Sequence, residues 1–160
     1  MIPSHITIKE MIYWITGQPS SGKTTLALLL KKHLELEKKN LRKEVFHIDG
    51  DDLRNLSSNK DYSPMGRVNN IRNAQMIAKF IHNKDCDVVV SLVAPFLDLR
   101  EEFKIDLGDN IVEIYTHTTE KRERDHFHVK DYEPPTENYI DIDTTLDSPE
   151  ESLLKILKQL

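Results

Sequence analysis

The 160-residue sequence predicts an α/β fold with a five-stranded, mostly parallel sheet and helices on both faces. Three observations favour this class. Apolar, β-branched segments of strand length alternate with longer segments of helical periodicity. A glycine-containing turn joins the first strand segment to the first helical one. Residues 88–93 are almost continuously apolar, which is typical of a strand covered on both faces.

The first part of the chain predicts two strands, each followed by a helix. Residues 11–16 are apolar and β-branched, which indicates a buried strand, and a leucine-rich helix follows over residues 26–36. The polar residues 37–43 predict a solvated turn before the second strand at residues 45–48. A short helix is expected over residues 52–56.

The central part predicts a long helix, a buried strand and a second helix. After a loop over residues 57–64, apolar residues at helical spacing indicate a helix over residues 67–83. The third strand covers residues 88–93, and residues 97–103 are expected to be helical. Right-handed connections between parallel strands then place helices on both faces of the sheet.

The last part adds two strands and two helices. Residues 111–115 predict the fourth strand, residues 119–124 the start of another helix, and the alternating residues 139–143 the fifth strand. Ser148 and Pro149 precede two glutamates, the pattern of an N-cap followed by an acidic first turn. The final helix is expected to run from there to the last residue.

Residues 17–24, G-Q-P-S-S-G-K-T, match the phosphate-binding P-loop pattern G-x-x-x-x-G-K-[ST] and predict a P-loop kinase fold. The turn and the helix N-terminus aim several backbone N–H groups and a positive dipole at one point. We expect Lys23 to neutralise β- and γ-phosphate oxygens and the Thr24 hydroxyl to hold Mg²⁺. The predicted triphosphate-binding residues are Gly17, Gln18, Pro19, Ser20, Ser21, Gly22, Lys23, Thr24 and Thr25.

Length and composition narrow the class of protein. The net charge of −5 argues against a general nucleic-acid binder and favours a small-molecule partner. The single Cys86 cannot form an internal disulfide, and neither a signal peptide nor an apolar run of membrane-spanning length is evident, so we expect a cytoplasmic protein. Residues 1–10 carry no motif and are expected to form an N-terminal extension, with residues 11–160 as a single P-loop kinase domain.

Two aspartates follow the second strand, where ligands of parallel sheets bind. Asp49 and Asp51 are two residues apart and would both face the γ-phosphate if the extended backbone continued. One carboxylate would then organise Mg²⁺ while the other accepts a proton from an attacking hydroxyl. Alternatively, Asp51 or Asp52 caps a helix and Asp49 forms the turn.

Further polar residues indicate a second, phosphate-bearing substrate. Arg67, Asn70 and Arg72 begin the long helix, although an ordinary solvated face is an open alternative. No acid ends the third strand, so the usual Walker B aspartate is missing, which favours a small-molecule kinase over a motor ATPase. Phe96 lines a base pocket or belongs to the core. His126 and His128, beside Asp125, lack a complete ligand set for a metal site.

Together these motifs resemble the adenylylsulfate (APS) kinase family. The matching segments are G-x-x-x-x-G-K-T-T, I-D-G-D-D-L-R, Y-S-x-x-x-R-x-x-N-I-R, S-L-V-A-P-F-x-x-x-R and E-R-D, in this order over nearly the whole chain. In that family, ATP with Mg²⁺ phosphorylates the 3′-hydroxyl of APS to give PAPS. The resemblance implies catalytic roles for Asp51, Lys23 and Asp49, with Thr24 and Asp49 at the metal. It implies ATP contact by Arg124 and acceptor contacts by Arg54, Tyr62, Arg67, Asn70, Pro95 and Phe96.

The chain departs from the family pattern in three places. Tyr62 stands where members usually carry Phe, and Ala94 where many carry Ser. Most of the basic lid that follows E-R-D is missing, together with an aromatic that clamps the second face of the base. Phe127 is the one nearby replacement and reaches the site only if the preceding helix ends early. We therefore expect weaker APS binding and relaxed base selectivity.

Three interpretations stay open from the sequence. The first is an APS kinase with a reduced lid. The second is a related kinase that phosphorylates another activated nucleotide, such as cytidine diphosphoramidate in capsule synthesis. The third is a nucleotide-binding regulatory module without turnover, against which the presence of Lys23, Thr24, Asp49 and Asp51 argues. A homodimer is compatible with all three.

Overall fold

The computed structural model describes residues 9–122 and 127–160, in which five strands form one sheet. The strands are β1 (Ile12–Thr16), β2 (Val45–Asp49), β3 (Asp87–Ser91), β4 (Ile111–His117) and β5 (Tyr139–Asp143). Their order is β2-β3-β1-β4-β5, and all four neighbouring pairs are parallel. The predicted α/β class with five strands is confirmed.

Among the described residues, five α-helices cover the two faces of the sheet. They are α1 (Lys23–Glu37), α2 (Gly50–Ser57), α3 (Pro64–His82), α4 (Leu97–Leu107) and α5 (Pro149–Leu157). Because successive strand residues point to opposite faces, Ile12 and Trp14 pack toward α3 and α4, whereas Tyr13 and Ile15 pack toward α1 and α5. No described helix is long and apolar enough to cross a membrane.

Several boundaries differ from the sequence prediction because of caps. Ser63 caps α3 by accepting from the Gly66 N–H, and Pro64 occupies the first turn, so α3 starts three residues earlier than predicted. α4 continues to Leu107, and α5 ends at Leu157. The predicted capping box at Ser148 is present.

The helix predicted from residue 119 does not form over the described residues up to Arg122. The N–H groups of Thr119 and Glu120 bond instead to the hydroxyls of Thr145 and Thr118, at 3.0 and 3.1 Å. Contacts with distant residues, including the bond from Arg122 to the Thr144 carbonyl oxygen, hold this segment in a non-helical path. Residues 123–126 lie outside the described part of the chain.

Candidate active site

The P-loop runs from the end of β1 to the start of α1 and depends on two glycines. A Cβ on Gly17 would lie 2.2 Å from the carbonyl oxygen of Thr116, so no larger residue fits there. Gly22 caps α1 with a φ of 94°, a conformation that strongly favours glycine. Lys23 is the first helical residue, so the loop delivers the lysine directly to the helix N-terminus.

Two residues that the sequence analysis missed hold the outer side of this loop. Arg122 donates to the carbonyl oxygens of Ser20 and Thr144, at 3.1 and 2.7 Å. The Thr144 hydroxyl donates to the carbonyl oxygen of Ser21 at 3.0 Å. With the carbonyls of Ser20 and Ser21 held by these donors, that side of the loop backbone is fixed. Both residues follow the carboxyl ends of parallel strands, β4 and β5, which is the one sequence signal that could have identified them.

The side chain of Lys23 folds back over the P-loop. Its ammonium donates to the carbonyl oxygen of Gln18 at 2.7 Å, and its side chain is largely buried while it lines the cavity. A positive charge held at this point faces the place where the loop N–H groups would bind phosphate. The geometry therefore suits the role that the sequence predicted.

Asp49 is the centre of a dense set of hydrogen bonds. Its Oδ2 accepts from the hydroxyls of Thr24 and Ser91, at 3.0 and 2.9 Å. Its Oδ1 accepts from the backbone N–H groups of Asp51 and Asp52, so Asp49 is itself the N-cap of α2. The alternative in which Asp51 or Asp52 caps the helix is wrong, because the chain already turns at Asp49.

These contacts keep Asp49 ionised. Burial alone would raise its pKa, but the hydrogen bonds from Ser91, Thr24 and the two backbone N–H groups outweigh it and hold the pKa below its usual range. A carboxylate whose lone pairs are used in this way is a poor proton acceptor. Asp49 is thus suited to organise charge rather than to act as a base.

Ser91 on the neighbouring strand β3 and His47 on β2, the strand of Asp49 itself, support Asp49. β2 and β3 pair Asp49 with Ser91, which brings the serine hydroxyl to the carboxylate. Because that hydroxyl donates to Asp49, it accepts from Nε2 of His47, 2.7 Å away. Burial lowers the pKa of His47 against the opposing effect of the Asp49 and Asp52 carboxylates. A neutral His47 therefore fixes the serine that orients Asp49.

Asp51 lies in the first turn of α2 and lines the same cavity. The extended spacing that predicted its position is wrong, because the strand ends at Asp49 and the helix begins at Gly50. The helical turn nevertheless keeps both carboxylates at the cavity. Since Asp49 is suited to organise charge, Asp51 is the candidate to accept a proton from a substrate hydroxyl.

The oxygen atoms of Thr24 and Asp49 form a set that fits Mg²⁺. A hydroxyl and an ionised carboxylate meet at 3.0 Å beside the phosphate loop, and hard oxygen ligands are those that Mg²⁺ prefers. Within the described ranges, no group of three or more His, Cys, Asp or Glu side chains gathers as a metal site. A magnesium ion here would therefore depend on the phosphates of its nucleotide for the remaining ligands.

A cluster of cationic and aromatic groups lines the other half of the cavity. The guanidinium of Arg54 lies 4.1 Å from the ring centroid of Tyr62, and that of Arg67 lies 5.7 Å from it. Arg54 is largely buried and donates to the carbonyl oxygen of Asp61 at 2.8 Å, so the loop before α3 is ordered around it. The predicted base platform is therefore held by cation–π contacts.

The side-chain amide of Asn70 has an acceptor atom at this cavity without a hydrogen-bond partner among the described residues. Its side chain is buried and donates to the carbonyl oxygen of Gly50 at 3.4 Å, while its Oδ1 has no partner among the described residues. A buried amide oxygen without a hydrogen bond is costly, and a substrate donor would relieve that cost. Arg72 behaves differently, because it lies on another face and pairs with Glu102 at 2.6 Å.

One cavity of about 940 Å³ unites both halves of the site. The predicted residues that line it are Pro19, Ser20, Gly22, Lys23, Thr24, Thr25, Asp49, Asp51, Arg54, Tyr62, Arg67, Asn70 and Pro95. Phe96 instead packs against the core at the N-terminus of α4, where its ring is partly buried. Arg124, the predicted ATP contact, lies outside the described residues.

Residues 127–133, here called the strap, stand in the part of the sequence where most of the family's basic lid is missing. The first two residues of the strap, Phe127 and His128, line the cavity together with Arg122. Phe127 was expected to reach the site only if the preceding helix ended early. Over the described residues up to Arg122 no helix forms, and Phe127 lines the cavity.

Comparisons with known proteins agree with this geometry. A family profile described as adenylylsulphate kinase matches residues 9–156. The adenylyl-sulfate kinase of Staphylococcus epidermidis is 30% identical over 172 residues, covering 95% of this chain and 84% of the relative. The cytidine diphosphoramidate kinase of Campylobacter jejuni is 29% identical over 147 residues, covering 89% of this chain and 84% of the relative.

Solved structures show the same fold. An APS kinase from Mycobacterium tuberculosis, in complex with AMPPNP and APS, superimposes with a TM-score of 0.77 at 21% identity and covers 94% of this chain and 96% of its own. A hexameric APS kinase from Thiobacillus denitrificans gives a TM-score of 0.73 at 27% identity, covering 94% of this chain and 29% of its own.

Proposed function

The chain belongs to the adenylylsulphate kinase family of ATP-dependent kinases, and from that premise we propose that it transfers the γ-phosphoryl group of ATP to the ribose 3′-hydroxyl of a nucleotide-linked acceptor. The observation that carries this proposal is the single cavity shared by the two halves of the site. Lys23 lies at its phosphate end, Arg54 and Arg67 at its acceptor end, and Asp51 also lines it. A donor and an acceptor can therefore meet in one enclosure.

The transfer needs one proton acceptor and one cationic group. The 3′-oxygen of the acceptor forms a bond to the γ-phosphorus while the bond from that phosphorus to the ADP oxygen breaks. Asp51 accepts the proton of the 3′-hydroxyl, because the lone pairs of Asp49 are engaged. Lys23 and the loop N–H groups stabilise the charge on the phosphate oxygens.

Mg²⁺ belongs with the triphosphate in this proposal. Thr24 and Asp49 would hold it, and when bound it neutralises charge on the β- and γ-phosphate oxygens. Ser91 keeps the Asp49 carboxylate pointed at Thr24, since its hydroxyl donates to the same oxygen atom. The protein thus contributes few direct ligands but orients them tightly.

APS is the first candidate acceptor, because the relative from S. epidermidis bears that activity in its name. Cytidine diphosphoramidate is the second candidate, because the relative from C. jejuni bears that activity in its name. The two candidates share a nucleotide with charged groups, which Arg54 and Arg67 suit.

The test is ADP formation from ATP and Mg²⁺ with each acceptor in turn. Lys23→Ala is the control, because it removes the phosphate-site charge at a helix start where alanine is well tolerated. We expect acceptor-dependent turnover in the wild type and loss of measurable turnover in the folded variant. A folded variant that retains more than about a tenth of the wild-type rate would refute the role of Lys23. ATP binding without turnover for any acceptor would favour the regulatory module instead.

A further inference from the structure

The strap is hydrogen-bonded through residues 129, 132 and 133 to segments at the carboxyl ends of β1 and β3. Near its C-terminal end, Glu133 N–H donates to the Pro95 carbonyl oxygen at 2.9 Å, and the Tyr132 hydroxyl lies 2.9 Å from Oγ1 of Thr16. Tyr132 also stacks on Tyr115, with ring centroids 5.9 Å apart. This end of the strap is therefore held by several independent contacts.

Nearer the cavity, the strap is held by the P-loop itself. The side-chain amide of Gln18 donates to the carbonyl oxygen of Val129 at 2.8 Å and accepts from the Val129 N–H at 2.9 Å. Paired bonds of this kind fix both the position and the direction of the strap backbone. Val129 is largely buried, so water competes poorly for these bonds.

The backbone and the side chain of Gln18 contact different parts of the site. Its carbonyl oxygen accepts from Nζ of Lys23 at 2.7 Å and from the Ser21 N–H at 3.2 Å, which serves the phosphate site. Its side chain leaves the loop and contacts only the strap among the hydrogen bonds that the described residues show. A substitution at Gln18 can therefore remove the strap contact while the phosphate contacts of the backbone remain.

The strap carries an aromatic ring into the shared cavity. Phe127 is two residues before Val129, is 60% exposed and lines the cavity that Tyr62 also lines. Tyr62 is 59% exposed, so both rings offer surface to a bound base. A nucleobase that stacks on an aromatic ring gains affinity with little regard to its identity.

We propose that the Gln18 side chain is a positioning residue for the acceptor, although it belongs to the ATP loop. Through Val129 it holds Phe127 as an aromatic wall of the acceptor-base subsite. This inference rests on the proposed function, since it assigns Phe127 to the acceptor of that same reaction. A substitution at Gln18 should therefore change the KM for the nucleotide-linked acceptor rather than the KM for ATP.

Steady-state kinetics of Gln18→Met test the proposal, because methionine keeps the length of the side chain and removes both hydrogen bonds. With whichever of APS and cytidine diphosphoramidate the wild type phosphorylates, we expect the acceptor KM to rise about five- to tenfold and the ATP KM to change less than about twofold. Gln75→Met is the matched control, since Gln75 is a buried amide that donates to the Leu99 carbonyl at 2.8 Å, away from the strap. It should leave the acceptor KM unchanged.

A double-mutant cycle with Phe127→Ala distinguishes an effect of Gln18 through Phe127 from a general disturbance of the active-site structure. If Gln18 acts through Phe127, the double variant should be no worse than Phe127→Ala by more than about twofold. Fully additive effects, or a rise in the ATP KM alone, would overturn the proposal.

Hydrogen–deuterium exchange of the substrate-free protein tests the strap contact without any turnover. Peptides covering residues 127–133 should take up deuterium faster in Gln18→Met than in the wild type or in Gln75→Met. Unchanged uptake would overturn the proposal even in an active enzyme. If the wild type phosphorylates no acceptor, the proposed function fails, and the exchange result still decides whether Gln18 orders the strap.

Discussion

Replacing Asp49 separates two tasks of its carboxylate, capping α2 and orienting the phosphate site. Asp49→Asn keeps the cap, because asparagine accepts from helix N–H groups as well as aspartate does. Its neutral amide cannot, however, provide an ionised oxygen to both the Thr24 and the Ser91 hydroxyls. Asp49→Ala loses the cap as well as both hydroxyl contacts.

The expected costs follow from these contacts. Loss of an N-cap costs about 1 kcal/mol, and each of the two hydroxyl bonds at this partly exposed carboxylate contributes about 1 kcal/mol. We expect Asp49→Ala to lower the free energy of unfolding by about 2–4 kcal/mol and Asp49→Asn, which keeps the cap, by about 2 kcal/mol. Turnover should fall at least about a hundredfold in both, since the charge beside Thr24 is absent in both.

Urea denaturation and the ADP-release assay measure the two effects on the same samples. If Asp49 served only as a cap, Asp49→Asn would be nearly as active as the wild type, and that result would refute the assignment. The pKa of Asp49 is lowered in the folded protein, so its stabilising contribution is complete above the unfolded pKa of about 4. The stability difference between wild type and Asp49→Asn should therefore shrink as the pH falls below that value.

Two further variants address the remaining groups. Asp51→Asn keeps the shape but removes the proton acceptor, so turnover should drop about a hundredfold or more with little change in ATP affinity; collapse of ATP affinity with preserved turnover at saturation would make Asp51 a metal organiser instead. Arg122→Met removes the donors to the carbonyl oxygens of Ser20 and Thr144 and should raise the ATP KM about tenfold. Arg72→Met is its matched control, because Arg72 pairs with Glu102 away from the cavity, and an equal ATP effect in both would contradict the role of Arg122.

The parts of the site that lie close together in the sequence could be predicted. The P-loop sequence predicts its own backbone geometry, because the strand, the glycines and the start of the helix are adjacent in the chain. Asp49 and Asp51 were identified as a pair, but the assumed extended backbone was wrong, since a cap at Asp49 turns the chain into α2. Local sequence gave the residue types and left the direction of the backbone undetermined.

Contacts between distant segments could not be predicted in this way. Arg122 and Thr144 bind the P-loop across about a hundred residues of sequence and carry no motif. The helix expected from residue 119 does not form over the described residues up to Arg122, where contacts with Thr144 and Thr145, distant in sequence, hold the chain.

The most direct test of the central claim is to identify the product and compare kcat/KM for APS and cytidine diphosphoramidate with ATP and Mg²⁺. We predict that the phosphoryl group lies on the ribose 3′-oxygen, as ³¹P NMR would show. We also predict that the two kcat/KM values differ by less than about a hundredfold, because an aromatic surface such as Tyr62 stacks either base. A strong preference for APS with a micromolar KM would contradict the relaxed base selectivity, and the absence of a 3′-phosphorylated product from both acceptors would contradict the proposed reaction.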